Sequence, residues 1–320
     1  MMKKALVVGI DAYSESALNT CINDACKIEG LLAHNADGTP NFEVVRNDNV
    51  SKKCILKAAI EKLFADAPDI ETALFYYSGH GMFDGMRGYL ALPDVFDTHD
   101  GLEFQHILDI ANKSTIPNKI IILDCCHAGA ISVSTSAVMQ PFVGRGVTIL
   151  AASRESESAY EGVFTNLLCE ALRGGAASVD GSVTPGSVYA FIDRALGAWC
   201  QRPVFVSHVT RFVSLRKCVP RIPLEVVRNI PKYFPAEASE YRLDPSYEDT
   251  NVPGVEHKYV EPYGESSHIA IFKELQKMQS VGLVEPVDAP FMYFAAMKSK
   301  SCRLTALGAH YRKLASDGLI

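Results

Sequence analysis

Two stretches of this 320-residue chain end an apolar run in residues able to do covalent chemistry. Residues 73–77 (Ala-Leu-Phe-Tyr-Tyr) lead into Ser78-Gly79-His80-Gly81. Residues 120–123 (Ile-Ile-Ile-Leu) lead into Asp124-Cys125-Cys126-His127-Ala128-Gly129. A thiol and an imidazole are the pair that thiol nucleophilic catalysis needs: the thiolate attacks, and the imidazole takes and returns the proton. Flanking glycines let backbone approach a substrate, and a glycine amide can donate to an oxyanion. On residue type alone, Cys125 and Cys126 compete for the nucleophile, and free cysteine is also a common core residue. His80 and His127 compete for the base in the same way.

Both motifs need rigid elements to bring them together. Short apolar runs at 5–10, 73–77, 120–123 and 147–151 predict strands buried on both faces, and 205–213 predicts a late strand. Helical periodicity predicts helices over 18–33, 51–66, 102–111, 164–173 and 186–199. The clearest is 51–66, where Ile55, Leu56, Ala59, Ile60, Leu63 and Phe64 make one stripe. Alternation of this kind predicts an α/β layered domain with a mostly parallel sheet, whose active residues belong at the carboxyl ends of strands. We place this domain at 1–217. Seven prolines then punctuate 218–262, which is expected to be a connector. Residues 263–320 read as helix, short apolar ribbon and helix, an arrangement similar to a small winged-helix module.

Composition removes several function classes. With 31 Lys and Arg against 37 Asp and Glu, the formal charge is -6, which argues against a general nucleic-acid binder. No uncharged apolar run approaches the roughly 18–20 residues that span a bilayer, so no membrane association is expected. Nine cysteines without metal-like or framework spacing suit a reducing compartment, and a cytoplasmic location is expected.

The two motifs together resemble the caspase-like cysteine peptidases, above all metacaspases and bacterial orthocaspases, over about residues 3–215. Ser78 to Gly81 matches that family's Ser-Gly-His-Gly segment, and Asp124 to Gly129 matches its Asp-Xaa-Cys-His-Ser/Ala-Gly segment. The resemblance implies Cys126 as nucleophile and His80, 46 residues upstream, as base. It leaves His127 a loop-orienting role and gives the amides of Gly81 and Cys126 the oxyanion. Cys21-Ile22-Asn23-Asp24 is similar to the metacaspase Cys-Xaa-Asn-Asp segment. By the same resemblance, Cys21, Asp24, Ser78 and Asp124 line the first specificity pocket, and Ser153 belongs to a substrate-facing loop. Two confined carboxylates repel unless a cation joins them, and arginine can bridge them as a fork where lysine cannot. Cleavage after Arg, with Lys second, is therefore expected. The bland alternative is that Asp24 caps a helix and Asp124 orients a turn.

Further expectations follow. Arg145, between Gly144 and Gly146 at the end of an uncharged loop, is a candidate self-processing site. Asp94, Asp97 and Asp100 form an acidic cluster that could serve calcium, but 128–143 holds no acid where calcium-dependent relatives supply one. No cofactor, calcium included, is expected. Partners are protein substrates with an exposed Arg or Lys and an upstream activating or docking protein. DNA contact through 263–320, using Lys298, Lys300, Arg303, His310, Arg312 and Lys313, is the rival. The resemblance places the chain as a regulated executor protease in bacterial defence or cell death. A catalytically silent scaffold and a DNA-binding regulator are the alternatives.

Overall fold

Alternation along the apolar strands decides the layering. The structure is a computed structural model that describes residues 2–93, 100–132, 143–154, 162–197, 201–209, 213–254 and 259–320. It divides into two compact units, Met1–Val219 and Pro220–Ile320.

In the first unit, β1 (Met2–Gly9), α1 (Cys21–Ala33), β2 (Phe42–Asp48), α2 (Lys53–Phe64) and β3 (Ile70–Ser78) follow in order. Three short strands come next: β4 (Gly81–Phe83), β5 (Gly88–Leu90) and β6 (Leu102–Glu103). Then follow α3 (Phe104–Lys113), β7 (Asn118–Asp124), β8 (Val147–Ala151), α4 (Val163–Glu170), β9 (Ser182–Val183), α5 (Pro185–Leu196), β10 (Val204–His208) and β11 (Arg216–Lys217). Six of these strands form the central sheet in the order β10-β8-β7-β3-β1-β2, parallel except for β10 at one edge.

Because side chains alternate across a strand, each central strand feeds two cores. Ala73, Phe75, Tyr77, Ile121 and Leu123 pack with residues of α2 and α3 on one face. Leu74, Tyr76, Ile120 and Ile122 pack with residues of α1, α4 and α5 on the other. Each fully buried large side chain contributes about 1.5–3 kcal/mol. The result is the three-layer α/β arrangement expected from the sequence. Register matters most at one point: Ser78 of β3 lies opposite Asp124 of β7, so both chemical motifs leave the sheet side by side.

The second unit departs from expectation. Residues 220–262 are not a connector: they supply α6 (Leu224–Arg228), α7 (Ile230–Tyr233) and β12 (Glu240–Arg242) to this unit. The prolines obscure the periodicity because they begin elements. Pro223 caps α6, and Pro231 and Pro245 sit in the first turns of α7 and of a 3-10 turn, where a missing N–H costs nothing. After α8 (Ser266–Ser280), β13 (Val284–Val287) and β14 (Ser301–Leu304) complete an antiparallel sheet ordered β12-β14-β13. The ribbon expected near 291–296 is instead a short helix, α9 (Met292–Met297), between those two strands, and α10 (Ala306–Ser316) ends the unit. No helix among the described residues is long and apolar enough to cross a membrane.

Candidate active site

The two motifs abut. The Gly79 amide donates to the Asp124 carbonyl at 3.3 Å. Gly81 is obligatory: a Cβ there would collide with the Cys126 carbonyl oxygen. His80 is thus held between a residue bonded to β7 and a residue seated on Cys126.

Burial sets the two cysteines apart. Cys125 is 2% exposed and points into the core beneath β4, and burial pushes its thiol well up. Cys126 is only partly buried. His127 takes a left-handed backbone conformation (φ 57°) and stacks its ring on Phe83 of β4 at 5.9 Å.

His80 is held from several sides. Its amide donates to the Tyr13 hydroxyl at 2.9 Å, and the Tyr13 ring lies 4.5 Å from the imidazole. The Tyr77 hydroxyl reaches the His80 carbonyl at 3.0 Å and the Tyr13 hydroxyl at 3.0 Å. The ring nitrogen Nε2 lies 2.6 Å from the Ser16 carbonyl oxygen. A carbonyl only accepts, so Nε2 carries the hydrogen, and the neutral ring keeps Nδ1 as its proton acceptor.

Four residues expected in a pocket gather behind this pair. The Cys21 thiol hydrogen-bonds the Ser78 hydroxyl, and burial pushes that thiol up to about 12. Asp24 lies one turn further along α1, 1% exposed. It caps nothing: Asp11 caps α1 instead, accepting from the amides of Cys21 (2.9 Å) and Ile22 (3.2 Å). Asp24 Oδ1 pairs with Lys27 at 3.0 Å, whereas Oδ2 is buried with no hydrogen-bond partner. Asp124, 7% exposed, accepts from the Thr165 hydroxyl at 2.6 Å, and Tyr76 donates to that hydroxyl at 2.5 Å. Burial, with the Asp24 charge adding to it, pushes the Asp124 carboxyl up to about 7. The Thr165 bonds pull against both.

Other expected residues lie elsewhere. Ser153 is fully buried, and its hydroxyl donates to the Cys125 carbonyl at 3.2 Å, so it braces the nucleophile turn from beneath rather than facing a substrate. Arg145 precedes the amino end of β8, which is parallel to β7, so it lies at the opposite end of the strands from Cys126. Its carbonyl accepts from Lys119 Nζ at 2.8 Å, and Gly146 beside it takes a left-handed conformation (φ 82°) in which a Cβ would strike the Pro117 carbonyl. This peptide bond is fixed in place, which weighs against cutting there. Asp94 and Asp97 lie outside the described residues, and Asp100 is exposed. Most of the loop 130–144 is outside them as well. In the second unit, Arg303 pairs with Glu285 at 2.8 Å and Arg312 donates to the Phe234 and Pro235 carbonyls, so neither cation is free for a phosphate.

Sequence reading missed Tyr13, Ser16, Lys27, Tyr76, Tyr77 and Thr165 as site residues. The aromatic ones look like core, and a backbone carbonyl has no sequence signature.

A partly exposed cysteine and an oriented histidine at adjacent carboxyl ends of a parallel sheet define a cysteine hydrolase of layered α/β fold. Comparison with known proteins agrees: the caspase domain matches residues 2–213, and the chain belongs to that family of cysteine peptidases. It is 27% identical over 151 residues to Metacaspase-1 of Candida albicans (strain SC5314 / ATCC MYA-2876), a match covering 40% of this chain and 34% of that protein. The match thus spans about a third of this relative's length. Among solved structures, Caspase-1 from Spodoptera frugiperda superposes with a TM-score of 0.51 at 16% identity, covering 68% of this chain and 91% of that one. A protein from Geobacter sulfurreducens, GSU0716, gives 0.49 at 19% identity, covering 67% and 97%.

Proposed function

We propose that the first unit is an endopeptidase that cuts protein chains after arginine, and after lysine second, through Cys126 and His80. The Cys126 thiolate attacks the carbonyl carbon, with its proton held on His80 Nδ1. The amides of Gly81 and Cys126 donate to the resulting oxyanion. Collapse of that intermediate breaks the C–N bond as His80 returns the proton to the leaving amine. Water, deprotonated by His80, then cleaves the thioester and restores the thiol. The Ser16 carbonyl fixes the tautomer that lets one ring nitrogen perform every transfer.

The observation that carries the specificity is the buried Asp24 Oδ2 without a hydrogen-bond partner, on a carboxylate near enough to Asp124 for its charge to push that carboxyl up, with Cys21 and Ser78 beside them. A guanidinium is the planar donor that satisfies two carboxylates at once, and an aspartate side chain would be repelled. Because the cluster is buried in the free chain, opening it belongs to activation, in keeping with an enzyme triggered by an upstream protein. An executor role in bacterial defence or cell death extends this reading by resemblance. We read the second unit as a winged-helix-like docking module, since its sheet order suits that topology and two of its basic residues, Arg303 and Arg312, are engaged within the unit.

Matched fluorogenic peptides ending in Arg, Lys and Asp test the proposal. Arg turnover several-fold above Lys, undetectable Asp turnover and complete loss in Cys126→Ala are expected. Asp turnover above Arg would overturn the pocket while leaving the nucleophile in place.

A further inference from the structure

The acidic pocket contains its own cation. Lys27 lies one turn beyond Asp24 on the same helix, bonded to Asp24 Oδ1 at 3.0 Å and to Asn166 Oδ1 of α4 at 3.2 Å. Its side chain is 32% exposed, against 1% for Asp24, so it stands on the solvent side of the cluster while Oδ2 is turned inward. The arrangement rules out a plain helix-surface pair, because one partner is buried and offers its second oxygen to nothing. Nor does Lys27 belong to the matched Cys-Xaa-Asn-Asp segment, which ends at Asp24.

We propose that Lys27 is a specificity-determining residue: by neutralising Asp24 from outside, it leaves the pocket one net negative charge, matched to a single cationic substrate side chain. This rests on the arginine reading above. With two carboxylates, one built-in ammonium and one substrate guanidinium, the occupied pocket is electrically neutral. Empty, it is one cation short, and Asp124, with its carboxyl pushed up to about 7, is the group that takes a proton in its place. Arginine binding therefore releases that proton.

Several titratable groups surround the acid pair. Asp124 is faced by Cys21 and Asp24 of α1, by Tyr76 of β3 and by Cys125 of the turn after β7. Asp11 acts on Cys21, and Lys27 reaches the cluster through its bond to Asp24. On α4, Cys169 faces Asp24 and Lys27, with Arg173 beyond it already paired to Glu170 at 2.6 Å. Among the described residues, Lys27 is the cation bonded to Asp24. Without it, two carboxylates at close quarters share one proton across neutral pH, and arginine binds that half-protonated pair without releasing it.

The test is the ratio of kcat/KM for an arginine peptide to that for the same peptide with citrulline, its uncharged isostere, from pH 6 to pH 8. The ratio cancels the titrations of Cys126 and His80. In the full wild-type chain it should rise about tenfold over this range, as one group titrating near 7 demands. In Lys27→Met it should stay within about twofold, and Lys27→Arg should restore the rise. An unchanged tenfold rise in Lys27→Met would overturn the role of Lys27 and leave the arginine pocket standing. A wild-type ratio near one at every pH would overturn the arginine reading and this inference with it.

Discussion

The central sheet has two ends, built from the same strands, that treat their charges differently. At the amino end, Lys119 is buried yet donates to the carbonyls of Ser114 (3.2 Å) and Arg145 (2.8 Å). Asp66 accepts both the amide (2.7 Å) and the hydroxyl (2.8 Å) of Thr115. Only a neutral hydroxyl, that of Thr72, goes unpartnered there among the described residues. At the carboxyl end, two acids are packed together, one with an unsatisfied oxygen and the other pushed up to about 7. Identical backbone pairing thus supports a settled structural end and an end that holds unrelieved electrostatic cost.

Removing the nucleophile should give the largest effect. Cys126→Ala is expected to lower peptide turnover by at least about a thousandfold, measured with the arginine substrate, while the unfolding temperature stays put. Next comes Asp124→Asn, which should cost about 2 kcal/mol of arginine-specific kcat/KM, about thirtyfold. The same change should stabilise the fold. A carboxyl whose folded pKa is raised keeps its proton where the unfolded chain has lost it, so stability falls from about pH 4 to pH 7 and stays reduced above. Asp124→Asn removes that penalty, and thermal unfolding at pH 8 should move upward.

A smaller effect is expected of Tyr13→Phe, which deletes the acceptor for the His80 amide and the partner of the Tyr77 hydroxyl. It should lower kcat about tenfold with KM nearly unchanged, since it displaces the base and leaves the pocket intact. The smallest catalytic effect belongs to the other end of the sheet. Lys119→Met should cost about 1–3 kcal/mol of stability, because two carbonyls lose their donor, yet leave kcat/KM within about twofold. The pair of outcomes sharpens the contrast: Asp124→Asn exchanges activity for stability, and Lys119→Met loses stability alone.

Much of this was legible in the sequence because it depends on local pattern. The strands flanking both motifs and the helix carrying Cys21 and Asp24 announce themselves by apolar run and helical period. Strand β2 did not, since it lies at the sheet edge and exposes polar residues along its length. Short helices begun by proline disguised the second unit's first forty residues as a connector. Within the site, motif positions gave the four residues that the structure gathers, but their supports come from far along the chain. Thr165 reaches Asp124 across 41 residues, Tyr13 reaches His80 across 67, and Ser16 contributes only backbone. Ser153 misled for the converse reason: position after a strand does not say whether a hydroxyl faces the cleft or the turn beneath it.

On the proposed reading, the acid pair at the carboxyl end selects a cationic residue for Cys126. The most direct measurement is mass-spectrometric identification of every bond cut in a complex peptide mixture by the wild-type chain, with Cys126→Ala as control. The account predicts arginine before nearly all Cys126-dependent cuts, with lysine a minor second. Cuts after aspartate or after uncharged residues at comparable frequency would contradict it.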